Sequence, residues 1–330
     1  MAKYPKAKLA QSPTKGNINK ILFVGYFQRP YDTEVYIANS LRELGVDVTC
    51  VQITELDACK YLSLANSGRF DLLLTGKGWI QGTSTDYLDA YKKVAIPKVC
   101  WFFDLVLGIR RQFLVNTWPP LLFSDITFTT DGGHQEEYER RGINHKCLRQ
   151  GIYQDEAVLG TKTKAEDVVF IGTSVHREEF GWTHREKLLA FLEKTYGDRF
   201  KWYGKNDGVR GMDLNNLLAS AKVVVGDSVH SPNYWSNRLY EVTGRGGFLI
   251  FPKIEGIEKE FTPYKDFIPY SYYDFEGLKQ KIDYYVSHDE ERERIRLSGF
   301  EHCKKNHTYL ARCKELLKHI RSYDFTRPSA

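Results

Sequence analysis

The sequence predicts an α/β protein with two parallel sheets that face each other across a cleft. Short apolar runs that end in glycine alternate with amphipathic helical segments, which is the pattern of buried parallel strands joined by helices. This pattern starts twice, at 20–25 and again at 167–172. Three helical segments close the chain, at about 275–286, 289–305 and 308–321.

The first half of the chain supplies the first predicted sheet. After the strand at 20–25, apolar residues recur at helical spacing over 33–44, and Gly45 ends this helix. Further apolar runs predict five more strands, at 46–52, 70–75, 98–103, 125–129 and 145–149. Helical spacing predicts the connecting helices, at 54–66, 84–93 and 134–141. Strands and helices that alternate in this way form a doubly wound parallel sheet.

The segment at 153–164 has no strong periodicity, which predicts a linker. After it, the second half of the chain repeats the alternation of predicted strands and helices. After the strand at 167–172, three more strands are predicted, at 200–204, 223–226 and 247–251. The intervening helices are predicted at 185–196, 214–219 and 236–243. We therefore predict two facing Rossmann-like domains, over 18–152 and 165–300, with ligands at the carboxyl ends of the strands.

The positive charge is concentrated at the N-terminus. The 330 residues contain 47 Lys+Arg and 42 Asp+Glu, a formal net charge of +5. Six bases and no acid precede Asp32, so the remaining residues carry a net charge of −1. Residues 1–17 also lack periodicity, which predicts a basic flexible arm. Such an arm suits a phosphate-rich partner such as nucleic acid or an anionic membrane, and it equally fits a solvated terminus.

Composition excludes several classes of protein. The 42% hydrophobic content excludes disorder and collagen-like repeats. The longest apolar run, at 99–109, is interrupted by Asp104 and is shorter than the roughly 20 residues of a transmembrane helix. No apolar stretch follows the N-terminal bases, so no secretory signal is predicted. The six cysteines lack a CxxC pair, which predicts reduced thiols, no metal site and a cytoplasmic location.

The most informative segment follows the predicted strand at 223–226. A polar loop at 231–237 precedes a short helix, and N–H groups and the dipole at a helix N-terminus favour a bound phosphate. Arg238 can add a bidentate contact to a diphosphate. Glu241 shares a helix face with Arg238, and its carboxylate can accept both hydroxyls of a ribose. The alternative is an Arg–Glu pair on an ordinary helix surface.

This segment resembles the donor-binding signature of GT-B glycosyltransferases, and most closely that of CgeB-like proteins with a group-1-type transferase domain. The matching motif is Ser236-Asn-Arg-Leu-Tyr-Glu241, followed by small residues, glycine and a strand. The resemblance extends to Phe170-Ile-Gly-Thr173, to Trp202-Tyr-Gly-Lys205 and to the interdomain crossover at 148–152. It also covers the terminal helices, which implies that residues 301–330 return to the first domain.

The resemblance implies an enzyme that transfers a hexosyl or pentosyl group from a nucleotide-diphosphate donor, with a UDP-sugar favoured, to a hydroxyl acceptor. It implies no bound metal and no cofactor beyond this nucleotide-sugar co-substrate. The implied donor-binding residues are Gly172, Arg177, Lys205, Trp235, Ser236, Asn237, Arg238 and Glu241. The stretch after Glu241, Val242-Thr-Gly-Arg-Gly-Gly247, departs from the family pattern, which often has a small or Cys-containing stretch there. Within it, Arg245 is expected to be an extra phosphate ligand or solvent-facing.

A transferase of this kind also needs a group that takes the proton of the acceptor. The candidates are Asp104, after the strand at 98–103, His134, after Asp-Gly-Gly, and Asp32, in the loop after the first strand. Each of these residues equally fits a helix cap or a surface position. Glycine and aromatic loops after two strands predict acceptor contacts by Tyr26, Phe27, Arg29 and Trp79.

The acceptor stays open among three classes. DNA with hydroxymethylated bases, as in phage-type DNA glycosyltransferases, is one class, and a saccharide or a protein or small molecule are the others. The basic pairs 110–111 and 140–141 would join the arm in a track for double-stranded DNA.

Two other functions compete with a transferase, a sugar-nucleotide epimerase of the same fold and a non-catalytic module that binds nucleic acid or a nucleotide sugar. The expected location is the cytoplasm of a bacterial or phage-infected cell, and the oligomeric state stays open.

Overall fold

The structure, a computed structural model, describes residues 18–76, 85–107, 118–163, 165–173, 184–204 and 208–325. Several predicted features lie outside the described residues, namely the arm at 1–17, Trp79, the pair 110–111, Arg177 and Lys205. Among the helices described, none has the length and apolar character needed to cross a membrane.

The first domain is built on a six-stranded, fully parallel sheet with the strand order β2-β1-β3-β4-β5-β6. The strands are β1 (Lys20–Gly25), β2 (Asp47–Gln52), β3 (Leu72–Thr75), β4 (Lys98–Phe102), β5 (Ile126–Thr129) and β6 (His145–Cys147). The helices are α1 (Thr33–Glu43), α2 (Ala58–Ala65), α3 (Thr85–Lys92), α4 (Pro119–Phe123) and α5 (Gln135–Arg140). The strands are mostly apolar and buried because helices cover both faces of the sheet.

The second domain has a five-stranded parallel sheet with the order β11-β10-β9-β7-β8. The strands are β7 (Glu166–Ile171), β8 (Phe200–Tyr203), β9 (Ala221–Val225), β10 (Leu249–Pro252) and β11 (Ile268–Tyr270). The helices are α6 (His184–Tyr196), α7 (Gly211–Ser220), α8 (Arg238–Gly244), α9 (Phe275–Ser287), α10 (Asp289–Asn306) and α11 (Tyr309–Ser322).

The predicted fold class is confirmed, and each predicted strand and helix is present within a few residues of its expected bounds. Two short elements, α4 and β11, were not predicted from the sequence. The helix α4 is five residues long and begins with two prolines, and β11 has three residues with a central proline. Segments this short carry too little periodicity to be recognised, and their conformation is decided by packing.

The C-terminal helix α11 joins the core of the first domain. Cys313, Leu316 and Ile320 are buried in one cluster with Ile37 and Leu41 of α1. The two chain crossings between the domains pair with each other, since the Ile152 amide donates to the His307 carbonyl and the Tyr309 amide donates to the Ile152 carbonyl, both at 2.9 Å. The relative position of the two domains is therefore set by contacts at both crossings.

A mostly buried ion cluster, made of Arg149, Glu260 and Arg312, adds further contacts at this junction. The Glu260 carboxylate accepts from Arg149 Nη1 at 3.0 Å and from Arg312 Nη2 at 2.9 Å. The Tyr240 hydroxyl donates to the same carboxylate at 2.6 Å. Burial alone would raise the pKa of Glu260, but the Arg312 and Arg149 guanidiniums lower it to about 2. The ionised cluster thus holds residues of both domains together.

The variant Glu260→Gln is expected to lower the free energy of unfolding at pH 7 by about 3 kcal/mol. Because the folded pKa lies below the unfolded value of 4.5, this stabilisation is complete above pH 4.5 and is lost as the pH falls toward 2. Urea unfolding at a series of pH values measures the difference between wild type and variant. Glu258→Gln, at an exposed position of the same loop, is the control. A difference that does not shrink in acid would contradict the expectation.

Candidate active site

An open cleft of about 680 Å³ lies between the carboxyl ends of the two sheets. The first domain lines it with the loop after β1, the start of α1, and residues 103–104 after β4. The second domain lines it with residues 171–172 at the end of β7, with α7, and with α8. Parallel α/β sheets bind ligands at this edge because the connecting loops leave a crevice there.

Arg238, the first residue of α8, is anchored to the second sheet. Its Nε donates to the Ile171 carbonyl at 2.8 Å, and its Nη1 donates to the Asp227 carbonyl at 3.1 Å and pairs with the Asp227 carboxylate. Burial lowers the pKa of Arg238 to about 10, with Asp227 opposing the shift, so the guanidinium is charged at neutral pH. Its remaining nitrogen, Nη2, has no hydrogen-bond partner among the residues that the structure describes.

Gly172 lies directly against this guanidinium. Its φ is 147°, a conformation that side chains rarely adopt, and a Cβ at this position would overlap Arg238 Nη2. The Gly172 carbonyl also accepts from the Trp202 indole at 2.8 Å, which fixes the turn after β7. Glycine is therefore required here to let Arg238 reach the edge of the cleft.

The sequence predicts a nucleotide in this cleft. On that expectation, the variant Gly172→Ala should displace Arg238 and weaken nucleotide binding at least tenfold, while lowering the free energy of unfolding by about 1–3 kcal/mol. Isothermal titration with UDP measures the first effect and urea unfolding the second. Gly197→Ala is a matched control, because Gly197 also has a positive φ, of 50°, but has no heavy atom near its Cβ position. Equal binding by the Gly172 and Gly197 variants would contradict this view of Gly172.

Glu241 projects from α8 at the cleft and is held on both oxygens. Its Oε1 accepts from Asn237 Nδ2 at 3.2 Å, and its Oε2 accepts from Arg245 Nε at 3.0 Å. The side chain keeps 27% of its surface exposed, so both oxygens retain room for further hydrogen bonds. The Oδ1 of Asn237, another lining residue, is buried and has no partner in the described part of the chain.

Arg245 lines the cleft but is not solvent-facing, so that one of the two expectations for it was wrong. Only 2% of its surface is exposed. Its guanidinium pairs with Glu241, with Glu156 and with the side-chain oxygen of Asn215. The guanidinium is therefore occupied by protein groups.

The structure places two of the predicted donor residues, Trp235 and Ser236, outside the lining of the cleft. Trp235 is 2% exposed, its indole donates to the Tyr240 hydroxyl at 2.7 Å, and its ring stacks under Arg149. The Ser236 amide donates to Ser228 Oγ at 3.0 Å. Neither residue lines the cleft, whereas Gly172, Asn237, Arg238 and Glu241 do.

Two of the three proton-acceptor candidates, Asp32 and Asp104, line the cleft. Asp32 precedes α1 and accepts from the Arg29 amide at 2.9 Å. His134 does not contribute to the lining; it is half-buried before α5, and burial lowers its pKa. The imidazole is therefore poorly positioned to meet an acceptor in the cleft.

Hydrogen bonds to the Asp131 carboxylate hold the loop that carries Asp104 in place. This fully buried carboxylate accepts from the amides of Val106 and Leu107 and from the Tyr138 hydroxyl at 2.7 Å. Burial raises the pKa of Asp131 to about 6, although these three donors oppose the shift. Asp131 thus fixes the backbone two residues beyond Asp104.

Some of the predicted acceptor residues line the cleft, and another packs in the core. Tyr26 and Arg29 line the cleft, whereas the Phe27 ring packs on Phe23 in the core. The Tyr31 ring lies between two guanidiniums, that of Arg29 at 5.9 Å and that of Arg210 from the second domain at 5.6 Å. These contacts bring both domains together at the cleft.

Sequence reasoning missed several residues that shape the site. Asp227 directly follows β9 and Gly226, and a polar residue at the end of a buried strand is the signal that would have found it. It also binds Arg185 at 2.7 Å. Glu156 and Tyr36 carry no such signal, because only the tertiary fold brings them beside Arg245. In the described ranges no three His, Cys, Asp or Glu side chains are grouped to hold a metal ion.

The two facing parallel sheets, the returning helix and the cleft place the chain in the GT-B fold class. Residues 177–318 match the family model described as glycosyl transferase-like. No curated protein matches the sequence.

Solved structures share the fold over nearly the whole chain at low sequence identity. HepE from Anabaena, in complex with UDP and glucose, is 11% identical, with 93% of this chain and 100% of that chain covered and a TM-score of 0.62. Sucrose-phosphate synthase from Thermosynechococcus elongatus is 12% identical, with 92% and 98% covered and a TM-score of 0.65. A putative UDP-N-acetylglucosamine 2-epimerase from Listeria monocytogenes is 12% identical, with 93% and 98% covered and a TM-score of 0.53.

Proposed function

We propose that this protein is a UDP-sugar-dependent glycosyltransferase. The observation that carries the proposal is the arrangement of Gly172, Arg238 and Glu241 along one wall of the cleft. Arg238 offers a charged nitrogen to a diphosphate, and Glu241 offers carboxylate oxygens to ribose hydroxyls. HepE, which has the same fold, is described in complex with UDP and with UDP-glucose, and this supports uracil as the base of the donor.

The proposed mechanism depends on the charge that develops on the leaving group. As the bond between the sugar and the diphosphate breaks, negative charge develops on the leaving diphosphate. A guanidinium held by Asp227 and by the Ile171 carbonyl is preorganised to stabilise that charge. The acceptor hydroxyl must lose a proton, and Asp104 and Asp32 are the carboxylates that we propose for this step because they line the cleft.

Mass spectrometry of the purified protein with a panel of UDP-sugars and acceptors tests this proposal. A transferase releases UDP and gains sugar mass on an acceptor. An epimerase, the competing function favoured by the Listeria neighbour, yields a new UDP-sugar with no acceptor present. Binding of UDP without turnover of any UDP-sugar would favour a non-catalytic module.

For the acceptor, we propose double-stranded DNA with hydroxymethylated bases, with a saccharide as the alternative outcome of the same screen. The sequence before Ile18 contains four lysines and no acid. Arg321 Nη2 lies 3.5 Å from the Ile18 carbonyl, and Lys314 and Lys318 are exposed on the same helix, which extends the basic surface. The pair Arg140 and Arg141 adds little, because both residues bind Glu137.

Removal of residues 1–17 is the test of the DNA acceptor. Because β1 rises about 3.3 Å per residue, Ile18 lies roughly 20 Å from the cleft, and 17 residues are long enough to span that distance. We expect the deletion to weaken duplex binding and to reduce its salt dependence. Binding that changes with neither deletion nor salt would contradict DNA as the acceptor.

A further inference from the structure

Arg245 connects the proposed ribose ligand to the framework of the protein. Its Nε donates to Glu241 Oε2 at 3.0 Å, its Nη1 donates to Asn215 Oδ1 at 2.6 Å, and its Nη2 pairs with Glu156. The exposed fractions are 2% for Arg245 and zero for Asn215. A planar guanidinium that is bound on all three nitrogens has one orientation, so the Glu241 oxygen that it binds also has one orientation.

The partners of Arg245 are fixed in turn. Asn215 donates to the carbonyls of Glu156 at 2.9 Å and Val158 at 2.7 Å, which ties α7 to the linker between the domains. The Tyr36 hydroxyl, from α1 of the first domain, donates to Glu156 Oε1 at 3.0 Å. A continuous chain of contacts therefore links Tyr36 of the first domain, through Glu156 and Arg245, to Glu241 of the second domain.

We propose that Arg245 is a positioning residue that orients Glu241 toward the ribose hydroxyls of the donor, and that Tyr36 and Glu156 make this orientation depend on the arrangement of the two domains. The proposal rests on the proposed function, because it requires a nucleoside diphosphate in the cleft. Arg245 lines the cleft, but its three nitrogens are bound to protein groups, so the role proposed for it is to orient Glu241 and not to bind the donor.

The effect of Arg245 follows from what would remain without it. Glu241 would keep one described hydrogen bond, from Asn237 Nδ2 at 3.2 Å, and its carboxylate would rotate among several rotamers. Without Arg245, the Glu241 carboxylate would have to become ordered when the ligand binds. This ordering has an entropic cost, which weakens the affinity of the protein for the ligand. This loss of affinity concerns only ligands that carry ribose hydroxyls. It can therefore be distinguished from the effect of a general loss of structure.

Isothermal titration with UDP and with 2′,3′-dideoxy-UDP tests this inference. We expect the wild type to bind UDP about 100-fold more tightly than the dideoxy analogue, since two hydroxyls bond to a charged group. Arg245→Lys keeps the positive charge but cannot bind three partners, so we expect this preference to fall below about tenfold. Tyr36→Phe, which removes only one hydroxyl, is expected to reduce the preference by about threefold.

The matched control is Arg292→Lys. Arg292 is also buried and paired, with Asp289 at 2.7 Å, but it does not line the cleft. This variant should lower thermal stability and keep the full preference for UDP. If Arg245→Lys and Tyr36→Phe both retain the wild-type preference, Arg245 has a merely structural role and the inference is wrong while the proposed function stands. If the wild type binds neither nucleotide, the proposed function fails and the inference fails with it.

Discussion

Replacing Glu241 with Ala is expected to reduce kcat/KM for the nucleotide-sugar donor by about 100- to 1000-fold. The carboxylate is held at the cleft by Asn237 and Arg245, and hydrogen bonds to a charged group contribute about 1.5–3 kcal/mol each. Loss of the hydrogen bonds to two ribose hydroxyls, each near the lower end of this range, accounts for about 3–4 kcal/mol, which corresponds to the stated change in kcat/KM. Steady-state kinetics at a series of donor concentrations measures it.

The effect is expected mainly in KM, because the ribose does not take part in the chemical step and its binding is the same in the ground and transition states. Glu290→Ala removes a carboxylate from an exposed position at the start of α10 and is the control for altered charge. Thermal unfolding is measured in parallel, because the variant leaves Glu156 as the described ionic partner of the buried Arg245. A Glu241 variant that keeps the wild-type donor KM would exclude Glu241 as the ribose ligand.

Replacing Arg238 with Lys is expected to lower kcat by about 100- to 1000-fold with a smaller change in the donor KM. The developing charge on the leaving diphosphate is greatest in the transition state, and removal of one preorganised donor typically costs about 2.7–4 kcal/mol there. A lysine cannot bind the Ile171 carbonyl and Asp227 and still present a nitrogen to a phosphate. Single-turnover kinetics at saturating donor isolates this step.

Arg238→Ala provides a second measurement on the same residue. It leaves the fully buried Asp227 with Arg185 as its described ionic partner, so we expect a loss of about 3–5 kcal/mol in the free energy of unfolding as well as the loss of turnover. Arg294→Lys, at an exposed position of α10, should change neither quantity. Turnover by Arg238→Lys within threefold of wild type would mean that Arg238 holds Asp227 and has no role in stabilising the leaving group.

Much of the fold was predictable because each strand carries its own local signal. Lys20–Gly25 is apolar and ends in glycine, and α1 has apolar residues at helical spacing before Gly45. The position of Arg238 and Glu241 at the cleft was predictable for the same reason, since both residues follow a recognisable strand and loop. The roles of Trp235 and Arg245 were not predictable, because burial depends on which elements pack against them.

The sequence by itself determined the two parallel sheets, the chain order of all their elements except α4 and β11, and the edge of the sheets at which the cleft lies. These features depend on hydrophobic periodicity and on residues close together in the chain, which are visible without the fold. The tertiary structure alone decided how the charges are paired. Asp227 with Arg238 and Arg185, Glu260 with Arg149 and Arg312, and Arg245 with Glu156 are separated by 11 to 111 residues in the chain. A charge taken out of water requires a partner, and packing determines which partner is within reach.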